Sequence, residues 1–134
     1  MKGRVYLAGR YSRREELLGY ARQLEERGCT VTSRWLQGTH EGGDGKTASL
    51  DDMERWAAED IQDINSADVF ILFTESPDGG YNQGGRHFEA GLAYGLGKRL
   101  LIVGPVENVF YAYLALNGLR FDSFEACLRH WWLR

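Results

Sequence analysis

The chain has 134 residues, of which 43% are hydrophobic and 26% charged, and this ordinary globular composition excludes an intrinsically disordered protein. Its net charge of −3 at pH 7 argues against a dedicated nucleic-acid-binding protein, because such domains are usually basic. The apolar runs are too short to span a bilayer and no signal-peptide core follows the first residues, so no membrane contact and a cytoplasmic location are expected. The length predicts a single domain over residues 1–134.

Cysteine and glycine usage narrows the kinds of site that the chain can hold. Cys29 and Cys127 match no metal-ligand spacing, and Cys127-x-x-His130 is half of a metal site at best, so neither a metal nor another cofactor is expected. Glycine is enriched, with 17 residues in 134, against a usual share of about 7%. The glycines cluster at 42–45 and 79–85, which indicates loops that let a ligand approach the backbone closely.

The first half of the chain predicts strand, helix and strand in that order. The apolar run over residues 5–9 predicts a buried first strand. A helix over residues 12–28 follows, and it opens with Ser12 and Glu15 at the spacing of a capping box. Residues 29–35 are rich in β-branched side chains and predict a second strand.

The second half continues the alternation. A polar loop over residues 38–46 leads into a helix over residues 49–65. The later predictions are strands at 69–73, 98–103 and 119–121, a loop at 76–85, and helices at 86–96 and 123–132. Continuous apolar strands that alternate with helices predict an α/β fold. It is a doubly wound parallel sheet of the Rossmann or flavodoxin-like class, with about five strands and helices on both faces.

In such a sheet the ligand lies outside the carboxyl ends of the strands, at the topological switch point. This rule selects four loops, at residues 9–12, 34–46, 74–87 and 104–110, and both glycine clusters lie in them. The P-loop pattern and the G-x-G-x-x-G fingerprint are both missing from the sequence, which disfavours a P-loop NTPase and an NAD-type dehydrogenase.

Three arginines surround the predicted start of the first helix. Arg10, Arg13 and Arg14 lie where backbone N–H groups and the helix dipole attract anions, so they could hold a nucleotide phosphate. The alternative is that Ser12 is only an N-cap and that the arginines are solvated. The residues alone leave both interpretations open.

Two carboxylates are the candidate catalytic groups. Glu89 is predicted in the first turn of the helix after the second glycine cluster, where it either complements the dipole or attacks an electron-poor carbon. Asp60 lies, at 100° per residue, about 70° from the centre of its helix's apolar stripe. A carboxylate at the edge of a core costs free energy unless it is used or paired. Glu59 and Asp63 are predicted on the solvated side of the same helix.

Three further side chains have two interpretations each. Tyr6 either packs in the core or reaches the site from the end of the first strand, and Trp35 either stacks on a base or covers the core. His87 either supports a catalytic carboxylate or is a solvated helix end. The tail over residues 121–132 carries four aromatic residues, which predicts core packing or a subunit interface.

Three segments resemble the nucleoside 2-deoxyribosyltransferase family and its hydrolase relatives, which cleave nucleoside 5′-monophosphates. The matching segments run in family order: Val5-Tyr6-Leu7-Ala8-Gly9, Glu59-Asp60 ahead of Ala67-Asp68-Val69, and Gly84-Gly85-Arg86-His87-Phe88-Glu89-Ala90-Gly91-Leu92-Ala93 before Gly97-Lys98. The segment around Glu89 is the most specific of the three. The resemblance covers most of the chain and implies both the fold predicted above and an enzyme.

The resemblance also implies roles for individual residues. Glu89 matches the family's nucleophile, Asp60 the aspartate that assists proton transfer, and Tyr6 the tyrosine that positions the nucleophile. Asn108 falls where the family places an asparagine that reaches into a neighbouring subunit's site, so a homodimer or higher homo-oligomer with shared sites is expected. Substrate contacts are expected at Gly9, Arg10, Ser12, Arg13, Trp35, Gly84, Gly85, His87 and Asn108. The family's base-contacting acid has no clear counterpart, and the candidates are Asp78, Asn82 and Gln83.

The implied reaction breaks a C1′–N bond. The oxocarbenium-like centre that forms can be trapped by one carboxylate while a second acid protonates the departing base. Transfer to another nucleobase makes the chain a 2-deoxyribosyltransferase, the leading hypothesis, whereas attack by water makes it a monophosphate N-glycosidase. A non-catalytic nucleotide-binding sensor is the hypothesis from another class, and the presence of both carboxylates argues against it. The expected partners are a nucleoside or nucleoside monophosphate and a free nucleobase.

Overall fold

The computed structural model describes the backbone of residues 3–38, 48–78 and 84–132, and the side chains up to residue 130. Its five strands form one parallel sheet in the order β2-β1-β3-β4-β5. The strands are β1 (Arg4–Ala8), β2 (Thr30–Val31), β3 (Val69–Phe73), β4 (Arg99–Val103) and β5 (Arg120–Phe121). The predicted doubly wound parallel sheet is therefore confirmed.

Helices cover both faces of this sheet. They are α1 (Arg14–Glu26), α2 (Leu50–Asn65), α3 (Gly85–Gly95), α4 (Val109–Leu116) and α5 (Phe124–Trp132), with short 3-10 turns at Tyr11–Arg13 and Arg34–Gln37. α3 and α4 pack on one face, with α2 beside α3, and α1 and α5 pack on the other. Both faces of the central strands are thus covered, and all five residues of β3 are buried, as a continuous apolar strand predicts.

The aromatic tail contributes to the core of the domain. Phe124 is buried and stacks on Tyr20 of α1, with ring centroids 4.3 Å apart, and Tyr20 stacks in turn on Phe73 of β3. Phe124 is therefore a core residue and is not available to a subunit interface. The side chains of Trp131 and Trp132 lie outside the described residues.

The connection around β2 differs from its prediction. The strand spans only Thr30–Val31: Thr32 N still donates to Val5 O at 2.8 Å, but beyond it a side chain takes the place of the backbone ladder. Ser33 Oγ accepts a hydrogen bond from Leu7 N at 2.6 Å, and Thr32 Oγ1 donates to Asp63 O at 2.9 Å. The predicted capping box is also wrong: Ser12 lies in the 3-10 turn, and α1 begins at Arg14 with no side-chain cap.

The buried face of α2 matches the predicted apolar stripe only in part. Leu50 and Ile61 are exposed, whereas Asp63, predicted on the solvated side, is buried at 5% exposure. The reason is a partner distant in sequence: Asp63 accepts hydrogen bonds from Arg34 N at 3.0 Å and Arg34 Nε at 2.9 Å. Of the predicted apolar stripe of Leu50, Met53, Ala57, Ile61 and Ile64, Ile64 in this last turn of α2 is buried with Asp63, whereas Ala57 is exposed and Met53 is half-buried.

Helix α4 was not predicted from the sequence. Residues 109–116 are apolar almost throughout and so lack a helical period, but Asn108 supplies the missing signal. Its side-chain oxygen accepts from Phe110 N and Tyr111 N as an N-cap, and Gly118 follows the helix with φ +76°.

No helix in the described part of the chain is long and apolar enough to cross a membrane.

Candidate active site

Three of the predicted residues meet at the topological switch point. The strand order β2-β1-β3-β4-β5 places this point between β1 and β3, where doubly wound sheets bind ligands. Tyr6 on β1 donates a hydrogen bond through its hydroxyl to Glu89 Oε2 on α3, at 2.8 Å. Asp60 on α2 shares a side-chain hydrogen bond with the same glutamate. The fold thus brings a phenol and two carboxyls from three separate elements together.

The position of each group follows from the local structure. Tyr6 is fully buried, and its ring stacks on Phe70 of the neighbouring strand with centroids 5.3 Å apart, so only its hydroxyl is left to bond. Gly84, the N-cap residue before α3, has the left-handed conformation at φ +79°, which glycine adopts most readily. The sequence predicted Glu89 in the first turn of α3. It is instead the fifth residue of the helix, because the helix begins at Gly85. It therefore lies beyond the reach of a simple dipole effect, which fades within the first turn.

Burial and their mutual contacts together give the two carboxyls different protonation states. Desolvation raises the pKa of both, and the charge of Glu89 raises the pKa of Asp60 further. The hydrogen bonds from Tyr6 and Asp60 act in the opposite direction on Glu89 and lower its pKa. Asp60 consequently holds the proton and Glu89 is the carboxylate. Desolvation also raises the pKa of Tyr6 well above its usual value, so its hydroxyl remains a donor. An ionised carboxylate beside a protonated carboxyl offers one group that can attack an electron-poor carbon and one that can donate a proton.

Glu59, Asp60 and Asp63 each place a carboxylate oxygen within 4.8 Å of the others, which is the spacing of a cation site. Asp63, however, is bound by Arg34, and Asp60 is bonded to Glu89. The three carboxylates are therefore close together because Asp63 attaches α2 to Arg34 and Asp60 is bonded to Glu89.

Gly9 and Trp35 lie under the site as packing residues. A Cβ at Gly9 would lie 3.2 Å from Leu17 Cδ2, which is a tight contact, so glycine favours the close packing of α1 here. Trp35 is 5% exposed and donates from Nε1 to Leu7 O at 2.9 Å. These contacts leave little of the indole surface for a base to stack on.

The predicted phosphate ligands lie in the connection from β1 to α1. Arg10 precedes the 3-10 turn, and Ser12 is exposed within it. Arg13 binds Glu16 at 2.8 Å and Glu75 at 2.9 Å, and it also donates to Thr74 O at 3.1 Å. The Arg13 guanidinium therefore joins this connection to the loop after β3.

His87 and Asn108 lie on the other flank of α3. At 100° per residue, His87 projects about 200° around the helix from Glu89. Its Nδ1 is 2.6 Å from the Tyr111 hydroxyl. Asn108 caps α4, and both residues line an aromatic cavity of about 580 Å³ between α3 and α4. Within this chain the structure does not bring either residue to the Tyr6–Asp60–Glu89 cluster.

One polar pair beside the site was not anticipated from the sequence. Arg86, in the first turn of α3, binds Glu107 through two hydrogen bonds of 2.5 and 2.6 Å; the Arg86 side chain is buried and that of Glu107 is 9% exposed. The residues lie 21 positions apart, and no local spacing marks them as partners.

Of the residues considered as base contacts, Asn82 and Gln83 lie outside the described part of the chain, while Asp78 is exposed and accepts from Ser76.

Comparisons with known proteins are informative only at the level of structure. No protein-family model matches the sequence, and no curated protein matches it. The solved CMP N-glycosidase BcmB of Clostridium botulinum is similar, with a TM-score of 0.61 and 21% identity over 98% of this chain and 99% of that one. A 2-deoxyribosyltransferase of Bacillus psychrosaccharolyticus gives a TM-score of 0.65 and 18% identity over 91% of this chain and 88% of that one. The chain therefore has the fold of enzymes that act on N-glycosidic bonds.

Proposed function

We propose that the chain is a nucleoside 2-deoxyribosyltransferase that works through a covalent glycosyl ester on Glu89. The observation that carries this proposal is the buried cluster of Tyr6, Asp60 and Glu89 at the switch point. It pairs an ionised carboxylate with a protonated one, at the place where this fold binds its ligands.

Each group has one task in the proposed reaction. A Glu89 carboxylate oxygen attacks C1′ of the nucleoside, and the electron pair of the C1′–N bond leaves with the base. Asp60 gives its proton to the departing base, and Tyr6 holds the attacking carboxylate through its hydrogen bond. In the second half a nitrogen of the acceptor base attacks C1′, Glu89 leaves as carboxylate, and the acceptor's proton returns to Asp60.

Hydrolysis of nucleoside monophosphates is the second candidate. Water replaces the acceptor base in the last step, and the nucleophile is the same. The CMP N-glycosidase match supports this candidate, because it spans nearly the full length of both chains. The ion pairs of Arg13 with Glu16 and Glu75 favour transfer instead. Arg13 was expected to bind the phosphate of a monophosphate substrate, and its guanidinium already binds these two carboxylates.

Product chromatography tests the proposal and separates the candidates. Deoxynucleosides and their monophosphates are incubated with the protein, each with and without an acceptor base. Transfer predicts a new nucleoside that forms only with the acceptor, whereas hydrolysis predicts free base in both cases. Absence of base release from every substrate would contradict both and favour the non-catalytic sensor.

Tyr6→Phe is expected to move the acid limb of the pH–rate profile upward. The hydroxyl lowers the pKa of Glu89, so its removal raises that pKa and more alkaline pH is needed to ionise the nucleophile. Loss of a hydrogen bond to a charged group is worth about 1.5–3 kcal/mol, or roughly a 10- to 100-fold loss of kcat/KM at neutral pH. Tyr20→Phe, on the opposite face of the sheet, is the matched control. An acid limb that does not move would contradict the assigned role of Tyr6.

Arg13→Ala is expected to reduce turnover of nucleosides and monophosphates by similar factors. The reason is that Arg13 holds Glu75 and Thr74 of the loop after β3, which both substrates need. Arg10→Ala is measured in parallel. Initial rates on each nucleoside and its monophosphate check this expectation. A loss of about 10- to 100-fold confined to monophosphates in either variant would instead identify a phosphate contact and assign the hydrolase.

A homo-oligomer is also proposed, with its contact on the apolar α3–α4 surface. This surface is defined by exposed side chains of α3, α4 and the residue after α3: Tyr94, Leu96, Val109, Phe110, Tyr113 and Leu116. Phe110 is 74% exposed and Leu116 is 90% exposed. A contiguous apolar surface of this kind on a small domain indicates a protein–protein contact.

Leu116→Glu is expected to dissociate the oligomer and to lower activity with it. A charge buried in an apolar contact is strongly unfavourable. Leu50→Glu is the matched control, because Leu50 is 81% exposed on α2 and outside this surface. Light scattering and activity are measured on the same samples. A wild-type monomer with full activity would refute the proposal.

A further inference from the structure

The Arg86–Glu107 pair connects two loops and the first turn of α3 at the carboxyl edge of the sheet. Glu107 Oε1 accepts from Glu75 N at 3.2 Å as well as from Arg86, so one carboxylate joins the loops after β3 and β4 to the first turn of α3. Thr74 Oγ1 also donates to Pro105 O at 2.7 Å. The Arg86 and Glu107 side chains are only 4% and 9% exposed. The pair is therefore part of a closely bonded corner beside Glu89.

Helix stability does not explain this pair. A cation in the first turn faces the positive end of the helix dipole, and α3 has no side-chain N-cap. A buried ion pair also loses hydration, and that loss often cancels its attraction, so it is weak evidence for a stabilising role. What the pair does provide is geometry, since a guanidinium that binds a carboxylate through two parallel bonds holds a fixed orientation.

We propose that the Arg86–Glu107 pair positions Glu89, by holding the first turn of α3 so that the Glu89 carboxylate meets the Tyr6 hydroxyl and Asp60. Arg86 precedes Glu89 by three residues, which is nearly one helical turn, so a tilt or rotation of the first turn moves Glu89 directly. The loop before α3 cannot supply this restraint through Gly84, which has no side chain. The proposal rests on the function proposed above and assigns Arg86 and Glu107 as positioning residues that do not touch the substrate.

Glu107→Gln tests the proposal, because it keeps the shape of the side chain and removes the charge and one acceptor. We expect kcat to fall about 10- to 100-fold with KM within about threefold, since a small displacement of a nucleophile has effects of this size. Arg86→Lys keeps the charge but cannot form the two parallel hydrogen bonds to Glu107, so it should show an intermediate loss of kcat. Arg120→Gln is the matched control: Arg120 binds Gly104 O and Asp122 at the same edge of the sheet.

A second readout needs no substrate. The ionisation of Glu89 is followed by ¹³C NMR of its side-chain carboxyl in the wild type and in each variant. Looser contacts with Tyr6 and Asp60 should shift the Glu89 titration to higher pH in Glu107→Gln and leave it unchanged in Arg120→Gln. If Glu107→Gln does not fold, Arg86→Lys is titrated in its place.

The two readouts separate the possible failures. A less stable variant whose folded fraction keeps the wild-type kcat and the wild-type Glu89 titration would overturn the positioning role and leave a purely structural pair. A wild type without base release would overturn the proposed function, and the NMR titration would still decide whether the pair holds Glu89.

Discussion

Glu89→Gln is expected to lower turnover by at least about 10³-fold while the protein stays folded. The amide keeps an oxygen that accepts from the Tyr6 hydroxyl, so the local structure is preserved. It is a far weaker nucleophile than a carboxylate and cannot form the glycosyl ester. The measurement is base release under saturating deoxynucleoside and acceptor base, with circular dichroism to verify folding.

Glu125→Gln is the control for this loss, because Glu125 is exposed in α5 and away from the switch point. It should turn over substrate at the wild-type rate. A Glu89→Gln protein that keeps a wild-type rate would remove Glu89 from the chemistry, and with it the proposed mechanism.

Asp60→Asn is expected to have two opposite effects, a loss of activity and a gain of stability. Without the acid, the departing base leaves unprotonated, and general acid catalysis of this kind contributes about 10²- to 10⁴-fold. The loss should be largest for bases that leave poorly as anions. Rates are compared between substrates with good and poor leaving groups.

The gain of stability has a definite pH dependence. Burial and the Glu89 charge raise the folded-state pKa of Asp60 above its ordinary value of 3.8. The wild type therefore loses stability as pH rises above that value, since the unfolded chain releases the proton and the folded chain keeps it. Asparagine has no such loss, so the advantage of Asp60→Asn should grow from acid to neutral pH. Urea unfolding at pH 5 and pH 8 measures it.

Asp52→Asn is the matched control on the same helix and has the opposite sign. A hydrogen bond from Arg55 lowers the pKa of Asp52, so its carboxylate contributes stability above the unfolded-state pKa, and its removal should cost stability at pH 8. If Asp60→Asn were less stable than the wild type at pH 8, the assignment of Asp60 as a protonated acid would be wrong.

Much of the fold could be predicted because its signals are local. The apolar runs of β1, β3 and β4 depend on neighbouring residues only, and the parallel sheet follows from their alternation with helices. The meeting of Tyr6 and Glu89 follows from the switch-point rule together with the family resemblance. Their hydrogen bond agrees with that expectation.

The remaining features depend on partners distant in sequence. The position of Asp63 is decided by Arg34, 29 residues away, and no periodicity calculation on α2 can include that bond. Trp35 is buried because its indole N–H binds Leu7 O, 28 residues away. Arg13 was expected to contact the substrate, but it is bonded to Glu75, which follows the neighbouring strand β3 and lies 62 residues away in sequence.

The central claim is tested most directly by intact-protein mass spectrometry with a 2-fluoro-2-deoxy nucleoside, whose electron-poor sugar slows breakdown of the ester. The proposed mechanism predicts a wild-type mass increased by one fluorodeoxyribosyl group, with fragmentation locating it on Glu89, and no increase for Glu89→Gln. A wild type that releases base but never carries the sugar, or that carries it on another residue, would contradict Glu89 as the nucleophile.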